Sequence, residues 1–155
     1  MSSRWHLLPL FRKFIGWYDD GVGKILDVGC GSLCEAFTEK YGDRYVGLDV
    51  ETSPYPKTVV GDAHDLSRYA DNSFRVVTLF SVIEHLKEPY KALGEAVRVA
   101  ERAVIITTDL TEADKNRSDN HYYSWTPKTL KRLLGDFGGA KTWDEMNILC
   151  GAIEK

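Results

Sequence analysis

The sequence predicts a single-domain, doubly wound α/β fold, built on a mostly parallel sheet with a short antiparallel end at the C-terminus. Three observations carry this prediction. The chain has 155 residues, 43% of them hydrophobic and 28% charged, enough for one core of ordinary composition and too few for two domains. From Gly23 onward, short apolar runs alternate with stretches of helical periodicity or turn residues, the pattern of a sheet covered on both faces. The last two runs are nearly contiguous, which fits a tight antiparallel hairpin.

Each element has its own signal. Leu7, Phe11, Phe14, Ile15 and Tyr18 recur at three- and four-residue steps and predict an amphipathic helix that packs on the domain or covers a pocket. It forms an N-terminal unit over residues 1–22, and residues 23–155 form the domain proper. The expected strands are Lys24 to Val28, Tyr45 to Val50, Thr58 to Val60, Arg75 to Phe80 and Ala103 to Thr108, followed by the pair Ala140 to Met146 and Ile148 to Ile153.

Ser32 and Glu35 form a capping-box pattern for a helix from Leu33 to Tyr41, which Gly42 can end in the left-handed conformation. Pro89 opens another helix, with Tyr90, Leu93, Val97 and Ala100 as its expected inner stripe. Thr126-Pro127 opens a third, with Leu130, Leu133 and Leu134 facing the core and Gly135 closing it. Between the fifth strand and this helix, Asp109 to Asn120 is polar and aperiodic, and a loop of that length is a candidate substrate gate.

Composition excludes several classes. Twenty Lys+Arg against 23 Asp+Glu give a net charge of -3, and no segment has a basic run, so a nucleic-acid partner is disfavoured and a small neutral or cationic substrate suits the chain better. Cys30, Cys34 and Cys150 include no CxxC pair, which suggests neither a disulfide framework nor a metal site. Charges break the N-terminal apolar run before it could span a bilayer or act as a secretory signal, so a reducing cytoplasm is the expected compartment. Nothing in the sequence fixes the oligomeric state.

The chemistry concentrates in Ile25-Leu26-Asp27-Val28-Gly29-Cys30-Gly31-Ser32, a strand that turns through two glycines into a helix. Glycines there let a ligand press against the backbone, and a helix N-terminus favours an anionic group. Asp49 ends the next strand, 22 positions (49 − 27) after Asp27, close to the offset of roughly 20 at which a carboxylate meets a ribose diol. A dinucleotide fingerprint requires a third glycine where this chain has Cys34, which disfavours NAD and FAD. Asp27, immediately before the turn, would repel a pyrophosphate but suits a ligand with an ammonium or sulfonium centre.

On these motifs the sequence resembles the class I S-adenosylmethionine (SAM)-dependent methyltransferases, in the style of the small-molecule branch that includes ubiquinone and menaquinone biosynthesis enzymes. The resemblance runs from about Ile25 to Thr108 and returns around His121 to Phe137. It implies a Rossmann-like domain and SAM as cofactor. It places Asp27, Gly29, Cys30 and Gly31 in the first cofactor motif, and Asp49 with Val50 at the ribose. Asp62 and Ala63 fall at the adenine, the carboxylate accepting from the amino group and Ala63 offering a backbone N–H. Phe80, Ser81, Val82 and His85 fall in the stretch lining the methionine end.

The family's third motif glycine is replaced by Leu33, whose side chain either crowds the methionine carboxylate or turns into the core. The implied reaction is in-line attack on the sulfonium methyl, to which the protein contributes alignment, desolvation and, for some acceptors, a base. His85 and His121 are the weak candidates for that base; a hydrogen-bonded structural histidine is the commoner reading of each. His121, Tyr122 and Trp125, with Tyr123, fit either a substrate wall or core packing, and Glu84 reads as a solvated or capping acid. The reading is therefore an enzyme transferring a methyl group to an unidentified small molecule, with a SAM-binding regulatory or structural module as the alternative.

Overall fold

The apolar runs assemble into one seven-stranded sheet of order β3-β2-β1-β4-β5-β7-β6 in the computed structural model, which describes residues 3–55, 57–109 and 121–155. The strands are β1 (Ile25–Val28), β2 (Tyr45–Asp49), β3 (Thr58–Val60), β4 (Phe74–Phe80), β5 (Ala100–Asp109), β6 (Ala140–Glu145) and β7 (Ile148–Glu154). The first five pair in parallel, whereas β7 runs antiparallel between β5 and β6. The β6–β7 turn places Met146 and Asn147 at φ 53 and 61, the two consecutive positive values of the tight hairpin turn that matches strand twist.

Among the described residues, four α-helices cover the sheet: α1 (Leu8–Gly16), α2 (Cys34–Tyr41), α3 (Pro89–Val99) and α4 (Pro127–Gly135). Because neighbouring strand residues point to opposite faces, two cores form. Phe11, Phe14 and Ile15 of α1 and Phe37 of α2 pack with Ile25, Val76, Ile105 and Cys150. Leu93 and Ala96 of α3 and Leu130 and Leu134 of α4 pack with Leu26, Val77, Val104 and Leu149. The sheet is thus doubly wound, and the strand order reverses between β1 and β4. Crevices that bind ligands in such sheets open beyond the carboxyl ends of the strands at this reversal.

Three local expectations need correction. The Ser32 hydroxyl makes no cap: α2 is preceded by a 3-10 turn over Gly31–Leu33, and its N-cap residue is Leu33, without a side-chain bond. Gly42 does end α2 at positive φ (59), but its ψ of -132 lies outside the left-handed helical region. The buried stripe of α3 is Ala92, Leu93, Ala96 and Val99, while Tyr90 is 55% exposed and packs its ring on Phe137 at 5.0 Å. The α4 N-terminus forms as expected, with the Thr126 hydroxyl accepting from the Thr129 N–H in a reciprocal capping box. The proposed gate lies, beyond Asp109, outside the described residues.

The Phe11 ring stacks on that of Phe80 with centroids 4.1 Å apart and planes 5° from parallel, and both side chains are fully buried. This contact ties α1 to the end of β4. Phe11→Ala is expected to lower the unfolding free energy by about 3–5 kcal/mol, measured by urea denaturation; a loss below about 1 kcal/mol would mean that α1 is dispensable to the domain.

Candidate functional site

The chain leaves β1 through a turn that only glycine enters without strain. Gly29 has φ +72, and a Cβ there would stand 2.4 Å from Cγ2 of Val82, so the ends of β1 and β4 are pressed together at this point. The Gly29 and Cys30 N–H groups both donate to the Leu48 carbonyl, at 2.6 and 3.2 Å, and the Gly31 N–H donates to Asp49 Oδ2 at 2.9 Å. Opposite, Ser81 holds φ 55, with its N–H donating to the Thr107 carbonyl at 2.9 Å and the Thr107 hydroxyl at 3.1 Å. Strained non-glycine backbone of this kind gathers at functional sites.

A cavity of about 800 Å³ opens above this elbow, within the range of roughly 300–1,000 Å³ usual for small-molecule sites. Of the residues expected to hold the cofactor, Gly29, Asp49, Val50, Asp62, Ala63, Ser81, Val82 and His85 line it together. Of the expected substrate side, Tyr122 lines it. Asp27, Cys30 and Phe80 are buried behind the wall, and Gly31, half-buried, is not part of the lining. Cys30 is 1% exposed, and burial followed by the Asp27 charge pushes its thiol well above the ordinary range, which removes it as a nucleophile. Leu33 points into the α1–α2 core, leaving the cavity clear. Trp125 belongs to the opposite core, so it is packing and not a cavity wall. His121 stands behind His85, their rings edge to face at 4.5 Å.

Two buried carboxylates flank the elbow. Asp27 is 2% exposed and accepts from the Thr78 hydroxyl at 2.7 Å and the Tyr45 phenol at 3.0 Å. Burial pushes its carboxyl up to about 6, opposed by the Thr78 hydroxyl, the Arg4 charge and the Tyr45 hydroxyl. Glu84 is also 2% exposed, which corrects the expectation of a solvated or capping acid. Burial pushes it up to about 7, and Asp109 adds repulsion that the Thr108 hydroxyl and Arg4 partly offset. Asp62, by contrast, is exposed and held below the usual carboxylate range by the His64 N–H and then the His64 ring, whose Nδ1 lies 2.6 Å from Asp62 Oδ1.

Sequence reasoning missed Arg4. Its guanidinium reaches across from the N-terminal segment and donates to the carbonyls of Phe80, Gly29 and Cys30. A Cβ at Gly31 would meet this group. No local signal marks a contact between residues 25 positions apart. Also missed were the cationic rim residues Lys87 and Lys91, whose positions follow from the tertiary fold alone, while Asp109, the first residue of the expected gate, does line the cavity. The carbonyls of Gly29 and Phe80, backed by Asp27, make a seat for a cation, and the chain's own guanidinium occupies it. That is an observation in favour of a ligand with an ammonium group.

The sequence profile of the methyltransferase domain family matches residues 26–107, more than half of the chain. Among solved structures, a SAM-dependent methyltransferase from Archaeoglobus fulgidus aligns over 99% of this chain and 95% of its own, with TM-score 0.77 and 16% identity. One from Aquifex aeolicus aligns over 99% and 94%, with TM-score 0.70 and 19% identity. A Thermotoga maritima protein described as a SAM-dependent methyltransferase, possible histamine N-methyltransferase, aligns over 97% of both chains, with TM-score 0.65 and 16% identity. At these identities the structural likeness speaks for the fold, and the profile match speaks for the family. The chain belongs to the methyltransferase domain family, as a class I SAM-dependent methyltransferase whose cofactor is SAM.

Proposed function

We propose that this enzyme methylates a small-molecule acceptor, with the SAM sugar on Asp49 and the amino-acid tail at the Gly29 elbow. The observation that carries the reading is the pairing of a carboxylate at one side of the elbow with a cation seat at the other. Asp49 Oδ2 takes the Gly31 N–H, and the carboxylate as a whole lines the cavity, so it has capacity for a diol. Ala63 and the Asp62 carboxylate suit an adenine edge. Arg4 is the cation closest in sequence space to no motif at all, yet it sits on the elbow and would face the tail's carboxylate once an ammonium takes the carbonyls. The enclosed volume and the acidic net charge favour a small acceptor over a nucleic acid. No helix among the described residues is long and apolar enough to cross a membrane, and the three cysteines are free and buried, in keeping with a reducing cytoplasm.

Bound SAM supplies a methyl group already activated by its sulfonium. The chain's part is to hold the sugar and tail on rigid strand ends, exclude water behind Val82 and Leu86, and present the acceptor from the side of His85 and Tyr122. Of the two histidines, His85 alone lines the cavity, beside the place of the acceptor.

Two measurements test this reading. Asp49→Ala is expected to weaken SAM binding about 10- to 100-fold by calorimetry, the loss of one or two charge-assisted hydrogen bonds; unchanged affinity would remove the sugar from this end of β2. The second concerns Asp27, which faces Thr78, Tyr45, Arg4 and Asp49. A cationic ligand favours its ionised form, so SAM affinity should be full above about pH 6 and fall as pH drops below it, by at most about tenfold per unit. In the free protein the sign reverses. Folded Asp27 keeps its proton to a higher pH than the unfolded chain, so stability declines between about pH 4 and 6 as the unfolded state ionises first. Asp27→Asn should flatten both profiles; a SAM affinity indifferent to pH in the unsubstituted protein would separate Asp27 from the ligand's charge.

A further inference from the structure

Glu84, His85 and His121 converge at one edge of the cavity. One carboxylate oxygen and one nitrogen from each imidazole all lie within 4.8 Å of one another. The convergence is built by the backbone. The Glu84 carbonyl accepts the N–H groups of Tyr122 at 2.8 Å and Tyr123 at 3.4 Å, and the Tyr123 hydroxyl donates to the Lys87 carbonyl at 3.0 Å. These bonds clamp the segment after His121 onto the turn after β4, although the two are more than 35 residues apart in the chain.

An independent observation concerns the carboxylate itself. Both Glu84 oxygens are buried, and among the described residues neither has a partner in hydrogen-bond geometry, although the Thr108 hydroxyl stands near enough to lower the carboxyl's titration. A buried carboxylate left so is among the costliest groups a fold can keep. A cap would turn it toward N–H groups and a structural ion pair toward a cation in contact; among the described residues Glu84 has neither, so its oxygens stand available to a further ligand.

We propose that Glu84, His85 and His121 hold a divalent transition-metal ion. One carboxylate and two imidazoles form a donor set suited to zinc, iron(II) or cobalt(II). Ligand distances of about 2.0–2.2 Å put donors roughly 3–3.5 Å apart, so modest side-chain rotation closes the cluster around an ion. Cys30, Cys34 and Cys150 take no part, which explains why cysteine spacing gave no sign of the site. Three protein donors leave coordination positions open. Since Glu84 and His85 line the cavity, these positions are available to an oxygen of the acceptor, where the ion would lower the pKa of a hydroxyl and orient it. This last role rests on the proposed acceptor site; ion binding does not.

The test titrates the full chain, stripped with chelator, with Co2+ alone. The expected result is one ion per chain by calorimetry, visible absorption bands of cobalt with nitrogen and oxygen ligands, and affinity at least tenfold weaker in each of Glu84→Gln, His85→Ala and His121→Ala. His6→Ala, at an exposed position outside the cluster, should match the parent. Should Glu84→Gln fail to fold by circular dichroism, the less buried His121→Ala decides. No bound Co2+, or binding unaffected by the cluster substitutions, overturns the proposal. SAM titration of the same unsubstituted protein, with and without Co2+, separates a failure here from a failure of the proposed cofactor site.

Discussion

Every feature of the site hangs on the closeness of β1 to β4 at their carboxyl ends. Gly29 exists to allow it: with a Cβ in place, Val82 would have to move, and with Val82 would go the turn that carries Glu84 and His85. The turn after β1 is gripped from the β2 side, where the Gly29 and Cys30 N–H groups donate to the Leu48 carbonyl and the Gly31 N–H to the Asp49 carboxylate. Strands β1, β2 and β4 therefore meet in one rigid knot of backbone hydrogen bonds. A ligand laid over that knot touches a sugar-binding acid on one side and a cation seat on the other without any segment having to be recruited from elsewhere. The fold provides the framework and the two glycines provide the opening.

The electrostatics follow from the same closeness. Asp27 cannot reach solvent because Tyr45 and Thr78, its neighbours on β2 and β4, close over it and take its two oxygens. It is then a charge held in a low-dielectric floor, disfavoured in itself but attractive to any cation above. Arg4 answers this field in the free protein. Its donors fall on three carbonyls that already point out of the strand ends, so the N-terminal segment, anchored by Phe11 on Phe80, is drawn across the elbow. The N-terminal segment thus joins core and site: α1 packs on the sheet, and the 3-10 turn Ser3–Leu7 ahead of it carries Arg4 to the elbow.

What the sequence made legible was whatever local chemistry encodes. All seven strands were readable because alternation and β-branched runs are local properties, and the glycine elbow and Asp49 were readable because their spacing is fixed by the length of one strand-helix-strand unit. The failures share a physical cause. The Ser32 cap does not form because the chain enters α2 through a 3-10 turn over Gly31–Leu33, which puts Ser32 inside the turn and Leu33 at the N-cap. The α3 stripe was assigned one residue out of phase because a large aromatic at Tyr90 outweighed Ala92 and Ala96, whereas close approach to the sheet selects the small residues. Trp125 was half assigned to a substrate wall because aromatic character does not say which side of a backbone is core. Arg4 and the burial of Glu84 were beyond reach, since each depends on contacts between elements far apart in the chain.

Groups that cost stability are usually removed by selection, and three of them stand together here. Ser81 with its left-handed backbone, Asp27 with its raised carboxyl, and Glu84 with no partner in hydrogen-bond geometry among the described residues all lie at the carboxyl ends of β1 and β4. The described remainder of the sheet is ordinary by comparison, with Val, Ile and Leu in register and its exposed charges paired, as in Lys141 with Glu154. Costly groups gathered at the carboxyl ends of adjacent strands mark that edge as the one built for ligands. Asp27 is answered by a cation, which the chain supplies provisionally through Arg4. Glu84 is answered only in part, by the Thr108 hydroxyl and the Arg4 charge, and this asymmetry between two equally buried carboxylates is what the proposed ion would relieve.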